Sequence, residues 1–332
     1  MILIAYGTRP EKIKIDPLIK LLPREKYKTV FTGQHTNLLE NCQFDYRLEI
    51  ENGENRLDSI IRSCLNAKDI WNGITHVLVQ GDTTSAFAIA LSAFHRGIKV
   101  IHLEAGLRTY DVANPFPEEA NRVMISRMAY MHLCPTVFNG GNLIREGADP
   151  MKVYVVGNTG LDSIAHLKPR VTDDKKVLVT LHRRENHAKI DKWFEAIDAL
   201  AAEYSDYDFV LPIHPNPNVK KHQAILKNVH VVEPMDRDML LDFLVTCSLV
   251  ITDSGGIQEE CSFFNKTALV CRKVTERPES VGITSFLVDI NSLNVIFHER
   301  IKTLNPNEID CPYGDGNSSK KIIEIFSDEK II

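Results

Sequence analysis

The chain carries a series of short apolar runs in which Val, Ile and Leu follow one another without alternation. They lie at Ile2–Tyr6, Lys28–Thr32, His76–Gln80, Lys99–Leu103, His132–Pro135, Val153–Val156, Lys176–Leu181, Asp208–Pro212, Val229–Val232, Leu249–Thr252, Ala268–Cys271 and Ser285–Val288. A strand with one wet face alternates apolar and polar residues. A strand covered on both faces does not, and that is the condition in a parallel sheet. Amphipathic segments separate the runs, for example Thr84–Arg96, Asp191–Tyr204 and Arg237–Thr246. Strand–helix–strand alternation with right-handed crossovers implies an α/β fold with open, doubly wound parallel sheets.

With 332 residues the chain exceeds one ordinary α/β domain and fits two. The seam is expected near Lys168–Lys175, a polar stretch that contains Pro169. That gives a first domain over 1–168 and a second over 169–313. A last helix near Ser318–Phe326, within 314–332, has the first domain as one place to pack. Hydrophobic residues make up 44%, enough for two cores, and the net charge is −5. No strong basic field exists to gather nucleic acid or an anionic membrane. No apolar run approaches the roughly 18–20 residues of a membrane span. The start Met1–Gly7 reads as a first strand and not as a signal peptide. The seven cysteines form no Cys-x-x-Cys pair, which points to reduced thiols in a cytoplasmic protein and away from a zinc site.

In open α/β sheets ligands bind at the carboxyl ends of strands. Polar and titratable residues recur there. Thr252–Glu260 follows an apolar run and contains Ser254, Gly255 and Gly256. Adjacent glycines admit close approach to the backbone, and a helix start offers free N–H groups to a phosphate. Glu260, about one turn on, can accept hydrogen bonds from ribose hydroxyls. The plainer reading is a strand–helix turn with a serine cap. Arg9 and Lys14 follow the first strand and suit an anionic group, or else are solvated charges at a helix start. Asp82 and Glu104 end strands, and Glu118 lies in Pro115–Arg122. Converging carboxylates separate acid from base roles; taken singly, each is as easily a cap. Arg108 and Arg122 are nearby in sequence as compensating charge. His182, Arg183 and Arg184 end the first strand of the second domain and suit anions or proton transfer. His214 and Arg277 also follow strands.

The segments GTRPEKIK, TGQH, QGDTTS, HLEAGLRT, PFPEEANR, VVGNT, HRREN, HPNPNV, TDSGGIQEE and TERPE occur in that order between Gly7 and Glu279. Together they resemble the non-hydrolysing bacterial UDP-N-acetylglucosamine 2-epimerases. The resemblance implies two Rossmann-like domains in the glycosyltransferase-B-like arrangement, with the active site in the interdomain cleft. It implies a homodimer and chemistry without a cofactor or metal. Asp82, Glu104, Glu118 and His182 match the family's catalytic positions. Arg9, Lys14, Ser254, Gly255, Gly256, Glu260 and Arg277 match positions that hold the UDP moiety, and Arg122 and Arg183, beside catalytic positions, are expected to bind substrate. The implied reaction interconverts UDP-N-acetylglucosamine and UDP-N-acetylmannosamine. A base removes the C2 proton while UDP leaves C1, and UDP adds back to the glycal after protonation from the other face. The same motifs leave open another UDP-2-acetamido sugar, a hydrolysing epimerase that releases N-acetylmannosamine, and a glycosyltransferase of similar architecture. Three departures stand out. Thr36 occupies a place where relatives often carry Arg, in a segment linked to a regulatory second substrate molecule. Met235 and Leu240 fall where relatives contact uracil, an aromatic being common at the second. Pro215 stands where Leu is frequent.

Overall fold

The computed structural model describes residues 1–34, 43–51, 53–167, 174–303 and 309–332. His35, Thr36 and most of the expected seam (168–173) lie outside the described residues. The chain divides into two compact units, Met1–Ala165 with Tyr313–Ile332, and His166–Pro312.

The first unit holds a parallel seven-stranded sheet. Its strands are β1 (Ile2–Tyr6), β2 (Tyr27–Phe31), β3 (Tyr46–Arg47), β4 (His76–Gln80), β5 (Lys99–Leu103), β6 (Ala129–Cys134) and β7 (Val153–Val155), in the order β3-β2-β1-β4-β5-β6-β7. The second unit holds a parallel six-stranded sheet of β8 (Lys176–Thr180), β9 (Asp208–Pro212), β10 (His230–Val232), β11 (Leu249–Thr252), β12 (Thr267–Val270) and β13 (Ser285–Leu287), in the order β10-β9-β8-β11-β12-β13. Each of the twelve apolar runs forms a strand, shifted by one to three residues at some ends. The strand missing from the sequence reading is β3. It has two residues, Tyr46 and Arg47, and borrows its register from Val30 and Phe31 of β2. A segment that short carries no hydrophobic pattern of its own.

Both faces of the first sheet are covered, which explains the absence of alternation. Ile2, Ile4 and Tyr6 of β1 enter one core with Leu78, Ile101 and Leu133. Leu3 and Ala5 enter another with Val77, Val79, Ile89 and Ile60. Full burial of each such Val, Ile or Leu side chain contributes about 1.5–3 kcal/mol. The last helix, Ser318–Asp328, buries Ile322 and Phe326 in the first of these cores. Asp162 caps it, accepting from the Ser318 and Ser319 N–H groups at 3.0 and 2.6 Å. In the second unit Val177, Val179, Leu249, Ile251 and Leu269 pack against Trp193, Phe194 and Phe297. Among the described residues no helix is long and apolar enough to cross a membrane.

Candidate active site

In the first unit the strand ends are built by hydrogen bonds that begin with a capping box. Thr8 caps the helix Arg9–Leu21, and Glu11 reaches back to it. Glu11 Oε2 accepts from the Gly7 and Thr8 N–H groups at 2.9 and 2.7 Å and from the Thr8 hydroxyl at 2.8 Å. Its other oxygen accepts from Thr83 at 2.7 Å. Burial raises the Glu11 pKa, and these hydrogen bonds oppose the rise. Gly7 is required by space: a Cβ there would stand 2.2 Å from Thr32 Oγ1 and 2.7 Å from Ser85 Oγ. The box fixes the helix that carries Arg9, which is exposed, and Lys14, which is half-buried.

Lys14 Nζ lies 2.5 Å from Glu104 Oε1, while Gln80 Nε2 donates to Glu104 Oε2. Glu104 has a positive φ of 64°. A non-glycine residue in that region is uncommon and is held there by its surroundings, a pattern found at functional sites. Gly81 and Gly106, on either side, also have positive φ, and a Cβ on Gly106 would overlap Asn139 O at 2.2 Å. Asp82 pairs with Arg122, its Oδ2 at 2.7–2.8 Å from two guanidinium nitrogens. Arg122 also binds Glu119 at 2.9 Å. Glu118 opens the helix Glu118–Met128, and its Oε2 is buried without a hydrogen-bond partner. The three carboxylates thus gather at the carboxyl end of the first sheet. Arg108 does not compensate them. It is buried and forks onto Glu146 at 2.8 Å.

In the second unit the organiser is Asp253, which is fully buried. It accepts from the His182 N–H at 3.0 Å, the Arg183 N–H at 2.8 Å and Asn186 Nδ2 at 3.0 Å. The His182 ring places Nδ1 3.4 Å from the same carboxylate. His214 stacks on it, with centroids 5.2 Å apart and planes 13° from parallel. Burial lowers the His182 pKa, the Asp253 charge opposes this, and Arg183, His214 and His187 add to the lowering. Arg183 Nε is buried without a hydrogen-bond partner.

Ser254 caps the helix Gly255–Phe263, accepting from the Ile257 N–H. The two glycines differ. A Cβ on Gly255 would stand 2.5 Å from the Arg277 guanidinium, so this glycine makes room for a side chain of the protein. A Cβ on Gly256 would meet nothing closer than 3.9 Å. Space for a ligand is therefore at Gly256. Arg277 is buried between Glu259, at 2.5 Å, and Glu276. Glu260 pairs with Arg237 at 2.6 Å. Met235 and Leu240 are half-buried around the start of the helix Arg237–Thr246.

Among the residues that escaped the sequence reading as individuals are Glu11, Gln80, Asp253 and Arg237. The Thr8-x-x-Glu11 spacing is a legible capping-box signature. Asp253 sits inside a motif that was singled out for its glycines. Gln80 and Arg237 carry no local signal.

A family model described as UDP-N-acetylglucosamine 2-epimerase matches residues 21–327. A UDP-N-acetylglucosamine 2-epimerase of Neisseria meningitidis is 38% identical, with 97% of this chain and 98% of the relative covered. One of Campylobacter jejuni is 35% identical, with 98% and 97% covered. The crystal structure of UDP-GlcNAc 2-epimerase from Neisseria meningitidis bound to UDP-GlcNAc superimposes with a TM-score of 0.87 at 35% identity, covering 98% of this chain and 99% of that one. Matches of this extent show that the chain belongs to the UDP-N-acetylglucosamine 2-epimerase family.

Proposed function

We propose that this chain is a reversible, non-hydrolysing UDP-N-acetylglucosamine 2-epimerase, cytoplasmic and homodimeric. The first unit acts on C1 and C2 of the sugar. The second takes the UDP group. The observation that carries the chemical assignment is the unequal partnering of the three carboxylates. Glu104 faces Lys14 and Gln80, and Asp82 faces Arg122, while a buried oxygen of Glu118 has no hydrogen-bond partner. A buried polar atom of that kind is costly unless a proton or a ligand atom completes it.

In this reading Glu118 and Glu104 are the groups that exchange the C2 proton, and Asp82 is set in place by Arg122. The base takes the C2 proton, the C2–H electrons form the C1–C2 double bond, and the C1–O bond breaks with its electrons on the departing diphosphate. Protonation of the opposite face of C2 and return of the diphosphate oxygen to C1 complete the exchange. Charge growing on the diphosphate is met in the second unit by His182 and the open first turn at Gly256.

The test is proton NMR of the protein with UDP-N-acetylglucosamine in deuterated water. Deuterium at C2 and a mixture of UDP-linked epimers is the expected result. Free N-acetylmannosamine as the product would replace the reading with a hydrolysing one. No exchange would sink both.

A further inference from the structure

β8 and β9 are parallel neighbours, with Lys176 set against Asp208 and Leu178 against Val210. Carried on past the strand ends, the same register sets His182 against His214. The His182 backbone is held firmly, its N–H donating to the buried Asp253 carboxylate at 3.0 Å. That carboxylate holds the ring less well. Nδ1 stands 3.4 Å from Asp253 Oδ1, beyond the usual length of an N–H···O bond, and the side chain is 35% exposed. The plane of the ring is instead matched by His214, stacked 13° from parallel with centroids 5.2 Å apart, within the range of an offset aromatic pair.

The loop that carries His214 is stiff. A residue before proline is confined to extended backbone, and His214 precedes Pro215 as Asn216 precedes Pro217. Asn216 caps the short helix Pro217–Lys220, its Oδ1 accepting from the Asn218 N–H at 2.9 Å. The Asn216 N–H in turn donates to His214 Nδ1 at 3.2 Å. An accepting Nδ1 puts the ring hydrogen on Nε2, and protonation would forfeit this bond. Burial also lowers the His214 pKa, with the Asp253 charge opposing and His187 adding to the fall. The loop therefore presents a neutral ring in a fixed plane, and a neutral partner does not oppose charge on His182 as a second cation would.

We infer that His214 is a positioning residue: its stacked ring keeps the His182 imidazole with Nδ1 toward Asp253, so that Nε2, the other ring nitrogen, faces the departing diphosphate. The inference rests on the reading that His182 meets charge growing on that group. It gives a role to the His-Pro-Asn-Pro stretch that follows β9, whose histidine acts through a ring plane and not through a polar contact of its own.

The test is the rate of C2 deuterium exchange against UDP-N-acetylglucosamine concentration, for the unmodified protein, His214→Ala, His214→Phe, His214→Gln, His182→Asn and the His182→Asn/His214→Ala pair. His214 is exposed, so the fold should tolerate these changes. His214→Ala is expected to lower kcat about three- to tenfold, the size of a lost aromatic pair, with KM changed by less than about twofold. His214→Phe keeps a flat ring without polar nitrogens and should restore most of the rate. His214→Gln keeps a polar group without the ring plane and should not. In the His182→Asn background His214→Ala has no further effect, as expected of residues acting through one another. An unchanged kcat in His214→Ala, or His214→Phe no faster than His214→Ala, would overturn the inference. Recovery by His214→Gln, a rise in KM at constant kcat, or additive effects in the pair would assign His214 to direct substrate contact and overturn it too. Absence of exchange in the unmodified protein would remove the epimerase reading itself, a result distinct from normal exchange that is insensitive to His214.

Discussion

Lys14 Nζ stands 2.5 Å from Glu104 Oε1, across ninety residues of sequence, and Glu104 holds a left-handed backbone to meet it. The lysine comes from the helix after β1 and the glutamate from the turn after β5. Sheet topology brings them together, because β1 and β5 both flank β4. A carboxylate fixed on one oxygen by a cation and on the other by Gln80 is aimed in one direction.

Glu104→Gln keeps the shape and the backbone preference while removing the exchangeable carboxylate. It is expected to lower C2 deuterium exchange by about 10²–10⁴-fold, the usual contribution of a positioned acid or base. UDP affinity, read by calorimetry, should stay nearly unchanged. Lost UDP binding with retained exchange would refute the role.

The glycine pair gives two separable outcomes. Gly255→Ala places a methyl against the Arg277 guanidinium, and overpacking of this kind costs about 1–3 kcal/mol in urea unfolding. Gly256→Ala meets no protein atom within 3.9 Å, so the fold should tolerate it. If the diphosphate lies on this turn, Gly256→Ala weakens UDP binding by about tenfold while stability is kept. Unchanged affinity would place the diphosphate elsewhere.

Arg122 joins Asp82 to Glu119, and the Glu119 side chain is 1% exposed. Arg122→Ala leaves a buried carboxylate without its cation. Chemical unfolding is expected to show a loss of about 3–5 kcal/mol, the cost of breaking one side of a buried pair. A loss below about 1 kcal/mol would mean that the bridge is not needed for folding.

His102 is fully buried and its Nε2 meets the Gly81 carbonyl at 2.8 Å, so that nitrogen carries the hydrogen. Nδ1 is bare and buried. Burial pushes its pKa down to about 3, and that of His132 down to about 4. An unfolded histidine protonates near pH 6.5. Below that pH the unfolded chain binds protons that the folded one refuses, and stability falls by about 1.4 kcal/mol per pH unit for each such group. His102→Gln, which can still donate to Gly81, should flatten the decline between about pH 6 and 4.5. Equal slopes in urea titrations of the two proteins would contradict this.

The sequence by itself determined the strands and the ends at which chemistry collects. Runs such as Ile2–Tyr6 and Leu249–Thr252 lack alternation because both faces of each sheet are buried, and burial of that kind is written directly into residue type. The turns after those runs are local too, so Gly7, Glu104 and Ser254 were legible in place. Partnering was not. Glu11 looks like a surface charge in a first helical turn, yet it is buried under four donors. Arg108 turns to Glu146, and Arg277 fills the space that Gly255 leaves. Asp253, not a glycine, ties His182 and Arg183 to the turn. Only the tertiary structure decided these pairings. A charged group settles wherever a partner lies within hydrogen-bond reach, and chain separation carries no information about that distance once the strands have crossed over.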